Sequence, residues 1–342
     1  MIDLRLGPEE EMIRETGQAF ARERLRPAMR EHERRGSVAA EVVRAYRELG
    51  FPTMEAPESF GGQGVSLLSK VVLLEEIGWG DAGAAFALEG AGPGLRALVE
   101  LGERDLCGDL LADPACYLAT IVDFAGRIAV REGRLEGRFP FVPASPKGPV
   151  VVLLPEGIFL CREGVRVSRV EGCGLGASGA SEVSFDGTPA AATCRDPAAL
   201  VRSVAHARLF VAALLVGVAR AATEYAMRYA QERVAFGRPI AHHQGLAFLL
   251  TDMATAVDAA RLLLWRAAFA PEAELERLSA WALAEAAEAA LFVGPNAVQV
   301  LGGHGFMKDH PVEKWMRDIR TLAQLAGGRD EAELVAAECE AR

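Results

Sequence analysis

Residues 299–306 read Gln-Val-Leu-Gly-Gly-His-Gly-Phe, and they follow a long segment rich in alanine, leucine and glutamate. Gly302 and Gly303 have no side chains, so a ligand or another backbone could approach closely here. Gly305 permits a turn with positive φ. Glycine is also the common residue at the C-terminal cap of a helix. This stretch alone therefore leaves open both a binding loop and a plain helix end.

A second glycine-containing stretch, residues 233–240, reads Arg-Val-Ala-Phe-Gly-Arg-Pro-Ile and is followed by Gln244. It predicts a helix break at residues 237–239 and a new helix within a few residues. An arginine beside such a turn suits a diphosphate, because guanidinium donors match phosphate oxygens in a planar, bidentate way. An ordinary helix–turn–helix corner with a solvated arginine explains the same residues, so this motif does not decide alone.

The composition is that of a well-packed globular protein with one large or two to three modest domains. The 342 residues are 51% hydrophobic and 25% charged, and the formal net charge is -10. An acidic chain repels nucleic acid and anionic membrane, so neither is an expected partner. No CxxC pair or Cys/His cluster is present, which predicts no metal site and reduced, structural cysteines. The six cysteines are Cys107, Cys116, Cys161, Cys173, Cys194 and Cys339.

The sequence predicts a cytoplasmic protein without a membrane span. Residues 1–5 lack the apolar region and small-residue cleavage site of a signal peptide. No run of about 18 uncharged apolar residues occurs, and the nearest approach, residues 209–218, is too short to cross a bilayer. That segment is better interpreted as part of a buried helix.

The pattern along the chain predicts an α+β fold that is mainly α. Helical periodicity is found at residues 8–33, 38–49, 67–78 and 82–101, short strand-like runs at 117–122, 127–130, 150–154 and 165–170, and long helices at 200–232, 244–269, 272–301 and 312–325. We therefore expect an N-terminal helical domain (1–113), a small central β domain (114–195) and a C-terminal four-helix bundle (196–342).

Taken together, the motifs strongly resemble the acyl-CoA dehydrogenase family of flavoproteins, over nearly the whole chain. The matching elements are the two glycine motifs, Pro-Glu-x-x-Gly-Gly-x-Gly at residues 57–64, the segment 174–189, Pro-Val-Glu at 311–313, and Arg-Asp at 317–318. The resemblance implies the acyl-CoA dehydrogenase fold, assembly into dimers or tetramers, an FAD extended at a subunit interface, and an acyl-CoA thioester as substrate.

The resemblance also implies which residues bind the cofactor. Arg233, Phe236 and Gln244 are expected to contact the pyrophosphate and adenosine part of an FAD whose isoalloxazine lies in the neighbouring subunit. Gln299, Gly302 and Gly303 are expected to line the same adenosine half.

The catalytic base of the family is missing. Dehydrogenation needs a carboxylate that removes the α-proton while the flavin takes a hydride from the β-carbon. The family's usual glutamate position falls on Ala326, and the position that some members use on an earlier helix falls on Ala207. A methyl group accepts no proton, so we predict no catalytic residue at either place.

Other titratable groups near these positions have simpler explanations. His206 could serve as a base, but a lone histidine on an alanine-rich helix is more often structural. Asp330, Glu331 and Glu333 are explained by a solvated C-terminal helix.

The β domain departs from the family as well. The Thr-Glu-Pro-x-x-Gly-Ser-Asp segment that usually contacts flavin and substrate is absent after residues 117–123. The later Trp-Ile-Thr/Ser element reads Phe141, Val142 and Pro143, so its hydroxyl donor is lost.

The losses affect the isoalloxazine and the chemistry, whereas the elements that reach a neighbour's flavin are kept. The leading hypothesis is a base-less, FAD-site-completing subunit of a heteromeric (α2β2) acyl-CoA dehydrogenase, paired with a homologous catalytic subunit; self-association stays open. Electron-transfer flavoprotein is the family's usual electron acceptor. The alternatives are a flavin-dependent monooxygenase on the same fold, which needs no α-proton base, and a flavin-free pseudoenzyme or scaffold.

Overall fold

The computed structural model describes residues 5–145 and 148–341. It has the mainly helical α+β architecture that the sequence predicts, with a small β region between two groups of helices. The predicted lack of a targeting segment concerns residues 1–5, and residues 1–4 lie outside the described residues. The domain limits 1–113, 114–195 and 196–342 stay a prediction.

The N-terminal helices are shorter and more numerous than predicted. They are α1 (Pro8–Phe20), α2 (Met29–Arg35), α3 (Ala40–Glu48), α4 (Leu67–Asp81), α5 (Ala85–Glu89), α6 (Leu95–Leu101) and α7 (Arg104–Ala112). The predicted helix 8–33 passes through a π-helical turn, Ala21–Leu25, and is interrupted around Pro27, which has no backbone N–H to donate. The predicted helix 82–101 is divided at Gly90, whose φ is +68°.

The central region folds into two four-stranded sheets. The strands are β1 (Ala119–Val122), β2 (Ile128–Arg131), β3 (Arg134–Pro143), β4 (Val150–Leu154), β5 (Gly157–Cys161), β6 (Val165–Arg169), β7 (Ala180–Pro189) and β8 (Ala192–Cys194). One sheet has the order β1-β4-β5-β8, with β1 parallel to β4. The other is antiparallel, in the order β2-β3-β7-β6. Every residue of β4 and β5 is buried, which explains their continuous apolar sequences.

The C-terminal helices are α8 (Pro197–Glu232), α9 (Gln244–Ala268), α10 (Glu272–Leu301), α11 (Val312–Leu322) and α12 (Arg329–Ala341). α10 packs against α8, α9, α11 and α12, and α4 also packs against α8. Alanine-rich faces permit this close approach, because Ala282, Ala286 and Ala290 are buried in the contact. By length and composition α8 could cross a membrane, but 83% of its most apolar window is buried inside the protein. It is a core helix, as predicted for residues 209–218.

The helix break at residues 237–239 is placed differently from the prediction. α8 already ends at Glu232, and a two-stranded hairpin follows, β9 (Val234–Ala235) with β10 (Arg238–Pro239). Phe236 and Gly237 form its turn with φ values of 54° and 78°. Positive φ at both central residues is the arrangement of a type I′ turn, which matches the twist of the strands that it joins.

Candidate functional site

An open pocket of about 320 Å³ lies where the end of α10 meets the end of α8. Four of the six predicted cofactor residues line it: Arg233, Gln299, Gly302 and Gly303. The other lining residues come from the same helix ends and from the turn after β10; they are Tyr229, Ile240, Val300, Leu301 and His304. The two glycine motifs therefore meet in one place.

Two polar side chains of this pocket, those of Arg233 and Gln299, are available to a ligand. The backbone of Arg233 is fixed, because its N–H donates to the Tyr229 carbonyl and its carbonyl accepts from Ile240, each at 2.8 Å. Arg233 and Gln299 are both exposed. Among the described residues, none makes a hydrogen bond or ion pair with the Arg233 guanidinium or the Gln299 amide. Unpaired guanidinium and amide donors suit an anionic, phosphate-bearing ligand.

Phe236 and Gln244 are close in sequence to residues that line this pocket, but they do not line it themselves. Phe236 is 95% exposed at the hairpin turn, in a left-handed backbone conformation that large side chains rarely adopt. Its ring makes an edge contact with His243, with centroids 6.0 Å apart. Gln244 begins α9 and is exposed. Their predicted contact with FAD stays a prediction.

The glycines of residues 302–305 have different roles. Gly302 caps α10 with φ 59° and ψ -135°, a conformation that essentially only glycine adopts. A Cβ on Gly302 or Gly303 would meet no atom within 4 Å, so the pocket is open at both positions. The expectation of positive φ at Gly305 is wrong. A Cβ at Gly305 would lie 2.3 Å from the Val298 carbonyl oxygen, so close packing requires this glycine.

Both predicted base positions face a second, nearly closed cavity. Ala207 on α8 and Ala326 in the α11–α12 loop line the same cavity, whose volume is about 10 Å³. A cavity of this size holds at most one water molecule. No carboxylate is among the described lining residues; the others are Phe86, Pro93, Thr120, Val122, Val142, Pro143, Val211 and Leu325.

The loop that carries Ala326 has an unusual backbone. Ala326, Gly327 and Gly328 have φ values of 55°, 93° and 83° in succession. Alanine in the left-handed region costs about 1–2 kcal/mol. The loop thus places Ala326 at the cavity in a backbone conformation that costs free energy, although its side chain is only a methyl group.

The acidic residues after this loop do not supply a base to the cavity. Asp330 and Glu333 are exposed, as a solvated helix predicts. Glu331 differs, because its Oε1 lies 3.4 Å from Nη2 of the buried Arg208. Burial raises the pKa of Glu331 and lowers the pKa of Arg208, and their mutual attraction partly offsets both shifts. Glu331 is therefore a structural partner of Arg208.

The β region closes the cavity from the other side. Val142 and Pro143, at the end of β3, both line the cavity, and Pro143 is the residue at which the resemblance predicts a lost hydroxyl donor. Thr120 on β1 does place a hydroxyl there. Its Oγ1 is buried without a hydrogen-bond partner among the described residues.

His206 is largely buried and pairs with a carboxylate, and its structural role stays a prediction. It is 7% exposed, and its Nε2 lies 3.1 Å from Glu55 Oε1. Its Nδ1 lies 3.4 Å from the Pro93 carbonyl oxygen. His206 does not line the small cavity of Ala207 and Ala326.

Tyr229 and His304 are pocket residues that the motifs did not single out. Tyr229 precedes Arg233 by one helical turn, so helical spacing gave a signal for it. His304 occupies a variable position within the motif at residues 299–306, and that position carries no signal of its own. The Tyr229 hydroxyl and His304 Nδ1 are 2.8 Å apart.

The fold and these two sites define a helix–sheet–helix protein with an open pocket suited to a phosphate-bearing ligand and a closed internal cavity. Family profiles identify it more closely. The profile "Acyl-CoA dehydrogenase, N-terminal domain" matches residues 7–113, and "Acyl-CoA dehydrogenase, C-terminal domain" matches residues 198–336. The chain belongs to the acyl-CoA dehydrogenase family, whose members are flavoproteins that use FAD.

Individual relatives agree with this assignment. The chain is 30% identical to cyclohex-1-ene-1-carbonyl-CoA dehydrogenase of Geobacter metallireducens, over 84% of this chain and 85% of the relative. It is 29% identical to benzylmalonyl-CoA dehydrogenase of Aromatoleum aromaticum, over 96% and 97% respectively. The structure of butyryl-CoA dehydrogenase from Megasphaera elsdenii has the same fold, with a TM-score of 0.84, 22% identity and full coverage of both chains.

Proposed function

We propose that this chain is a non-catalytic subunit of an acyl-CoA dehydrogenase, which completes the FAD site of a homologous catalytic chain. The observation that carries the proposal is the contrast between the two sites. The cavity shared by Ala207 and Ala326 has a volume of about 10 Å³, while the pocket of Arg233 and Gln299 has about 320 Å³.

The open pocket fits the nucleotide end of FAD. The Arg233 guanidinium, which has no partner within residues 5–145 and 148–341, is suited to hold the diphosphate, and the Gln299 amide offers both a donor and an acceptor. Gly302 and Gly303 leave space for close approach of the cofactor, because neither would meet another atom with an added Cβ. FAD, when bound, supplies the hydride acceptor for the reaction of the family.

The closed cavity does not fit an isoalloxazine ring or an acyl group. The cavity is filled by side chains such as Phe86, Val211 and Leu325, so no volume is left for an acyl chain. The absence of a carboxylate at Ala207 and Ala326 removes the group that would accept the α-proton. In the proposed complex, a carboxylate of the catalytic partner accepts this proton.

Exposed apolar side chains next to the open pocket support a protein partner there. Phe236 is 95% exposed, Phe306 72% and Met307 52%. Each lies within or directly after one of the two glycine motifs. Apolar groups concentrated beside a binding site are typical of a surface that another chain covers. A catalytic chain of the same fold is the partner that we propose, and electron-transfer flavoprotein the proposed acceptor of its electrons.

The substrate class is proposed from the relatives. Two of them are named for ring-containing acyl-CoA thioesters, cyclohexene carbonyl-CoA and benzylmalonyl-CoA. We expect the catalytic partner, rather than this chain, to bind such a thioester.

Visible absorbance of the purified protein tests the proposal. The chain is purified alone and after co-expression with a homologous chain that has the catalytic glutamate. We expect flavin absorbance and oxidation of cyclohex-1-ene-1-carbonyl-CoA only in the co-purified complex. If the chain alone holds stoichiometric FAD and oxidises the thioester, the proposal is wrong, and self-association is sufficient.

The same preparations distinguish the alternatives. Protein that is colourless both alone and with its partner would favour a flavin-free scaffold. Consumption of oxygen by the reduced flavoprotein, with no oxidation of the thioester, would favour a monooxygenase.

A further inference from the structure

A third cavity lies between the N-terminal helices and α8. Its volume is about 150 Å³, and it is lined by residues of the α3–α4 loop, α4, α6, α8 and the start of α10. The described lining residues are Glu55, Ala56, Pro57, Val65, Leu67, Leu95, Arg96, Val99, Arg202, His206 and Leu275. Of these described residues, none also lines the open pocket or the closed cavity. This space, which we call the Glu55 cavity, is therefore separate from both.

The Glu55 cavity has mainly apolar walls, and its two arginines are already paired. Arg202 Nε lies 2.8 Å from Glu100 Oε1, and Arg96 also forms an ion pair with Glu100. These guanidinium groups therefore do not require an anionic ligand. An apolar cavity of this volume holds a molecule of about the size of benzene.

Glu55 is a polar group of this cavity whose hydrogen bonding is incomplete. Its side chain is 9% exposed, and its Oε1 lies 3.1 Å from His206 Nε2. Its Oε2 is buried and has no hydrogen-bond partner among the described residues. Lys70 Nζ lies 3.6 Å from Oε2, which is longer than a hydrogen bond.

The Lys70 ammonium group has no N–H left for Glu55. An ammonium group has three donors. Those of Lys70 are directed to the Phe51 carbonyl at 2.8 Å, to the Pro52 carbonyl at 3.3 Å and to Glu89 Oε2. A buried oxygen without a donor costs free energy, so a ligand that supplies a donor gains from it. Because the last torsion of a glutamate side chain is broad, a small rotation presents this oxygen to the cavity.

The charges around Glu55 favour an uncharged donor. Burial alone would raise the pKa of Glu55, but Lys70 and His206 together hold it below its ordinary value. The carboxylate is therefore ionised near neutral pH and only accepts hydrogen bonds. An ammonium ligand at the same oxygen would be repelled by the nearby Lys70 ammonium. A hydroxyl group donates without adding a charge.

We propose that the Glu55 cavity binds a small alcohol or phenol, whose hydroxyl donates to Glu55 and whose apolar body contacts Leu95, Val99 and Leu275. This site is independent of the proposed function, because none of its residues is assigned to FAD or to the catalytic partner. The flavin content of the co-purified complex therefore has no bearing on it.

Calorimetric titration of the purified chain with three probes of equal size tests the proposal. The probes are benzyl alcohol, benzylamine and ethylbenzene, which share a ring and differ in the terminal group. We expect benzyl alcohol to bind about tenfold or more tightly than either of the others. Ethylbenzene has no donor for Glu55, and benzylamine brings a second cation close to Lys70.

Glu55→Met and Val99→Phe examine the acceptor and the space separately. Glu55→Met keeps a side chain of similar length without the acceptor, so the preference for benzyl alcohol over ethylbenzene should disappear. Glu58→Met, at an exposed glutamate of the same loop that does not line the cavity, is the matched control and should keep the preference. Val99→Phe fills the cavity with Glu55 unchanged, so binding of benzyl alcohol should be lost.

Several results would overturn the proposal. If benzyl alcohol binds no more tightly than ethylbenzene, or if Glu55→Met keeps the preference, Glu55 is not the acceptor. Tighter binding of benzylamine would contradict an uncharged ligand. If no probe binds with a Kd below about 10 mM, the cavity is a space for water only. Should Glu55→Met fail to fold, unchanged binding of benzyl alcohol to Val99→Phe would show that the probe binds elsewhere.

Discussion

At the scale of single residues, the proposed function depends most on Ala207, Ala326 and Arg233. Ala207 and Ala326 come from distant parts of the chain and line one cavity, so the structure brings together the two positions that the resemblance predicts for the base. The cavity is also filled, since its volume is about 10 Å³. Under the proposed function this chain lacks both the space and the carboxylate, so a carboxylate introduced alone is not expected to give activity.

Ala326→Glu tests whether the missing base is the only deficiency. We expect the free energy of unfolding to fall by about 1–3 kcal/mol, because a longer side chain enters a filled site. The purified variant should still not oxidise acyl-CoA with an artificial electron acceptor. Ala326→Gln, of nearly equal volume, should be destabilised to a similar degree. Oxidation by Ala326→Glu alone, with none by Ala326→Gln, would contradict the closed-cavity account.

Arg233→Ala tests the open pocket. In the complex with a catalytic chain we expect FAD affinity to fall by about ten- to a hundredfold, because a charge-assisted hydrogen bond to phosphate is lost. Folding should not change, since Arg233 is exposed and unpaired among the described residues. Arg228→Ala, at an exposed arginine within α8, should retain FAD. Dialysis followed by flavin absorbance gives the comparison, and equal FAD loss in both variants would count against a specific role.

At the scale of elements, the long helices were predictable and the short elements were not. The bounds of α10 agree with the predicted helix 272–301, because its apolar positions recur regularly over many turns. β3 and β7 have no such regularity. Their pairing shifts register between Leu135 and Gly137 and between Phe139 and Val142. Gly137, at φ 133°, permits the first irregularity, and a bulge of this kind disrupts the alternation by which strands are predicted.

Phe236→Asn tests whether the hairpin after α8 is shaped for a partner. A left-handed phenylalanine costs about 1–2 kcal/mol, whereas asparagine tolerates this conformation. We expect the chain alone to be as stable as before, or more stable by up to about 1 kcal/mol in chemical denaturation. Binding to the catalytic chain should weaken, as measured by titration over a surface on which one of the two chains is immobilised. Leu334→Asn, at an exposed apolar residue of α12, is the control. Destabilisation of the isolated chain with unchanged partner binding would show that Phe236 is there for folding.

A buried charge cluster joins α11 to α4 and to the loop before β7. Lys314 Nζ lies 2.9 Å from Asp81 Oδ1 and 2.6 Å from Asp318 Oδ2, and the Leu175 N–H donates to Asp318 at 2.7 Å. Lys314→Met leaves two carboxylates buried without their cation, so we expect a loss of roughly 3–5 kcal/mol in the free energy of unfolding. Lys308→Met, at an exposed lysine, should change it by less than about 0.5 kcal/mol. Equal effects in urea denaturation would disprove the structural role of the cluster.

At the scale of the whole molecule, the family fold is complete but its two functional regions differ. Sequence motifs were sufficient to predict that Arg233 and Gln299 belong to one site, and the structure places both around one pocket. The small volume of the cavity could not be predicted from the sequence. It depends on how closely side chains from distant segments pack together, among them Phe86, Val211 and Leu325. Tyr229 and His304 were missed because their contribution arises from contacts across the fold.

The flavin content of the purified complex distinguishes a chain that completes its partner's FAD site from a chain that has an FAD site of its own. A chain that completes its partner's site, but has none of its own, gives one FAD for each pair of one such chain and one catalytic chain. Quantitative absorbance of flavin released from complex of known subunit ratio measures this number, with the chain alone as the reference. We predict one FAD per pair and none in the chain alone. Two FAD per pair, or a full complement in the chain alone, would contradict the account.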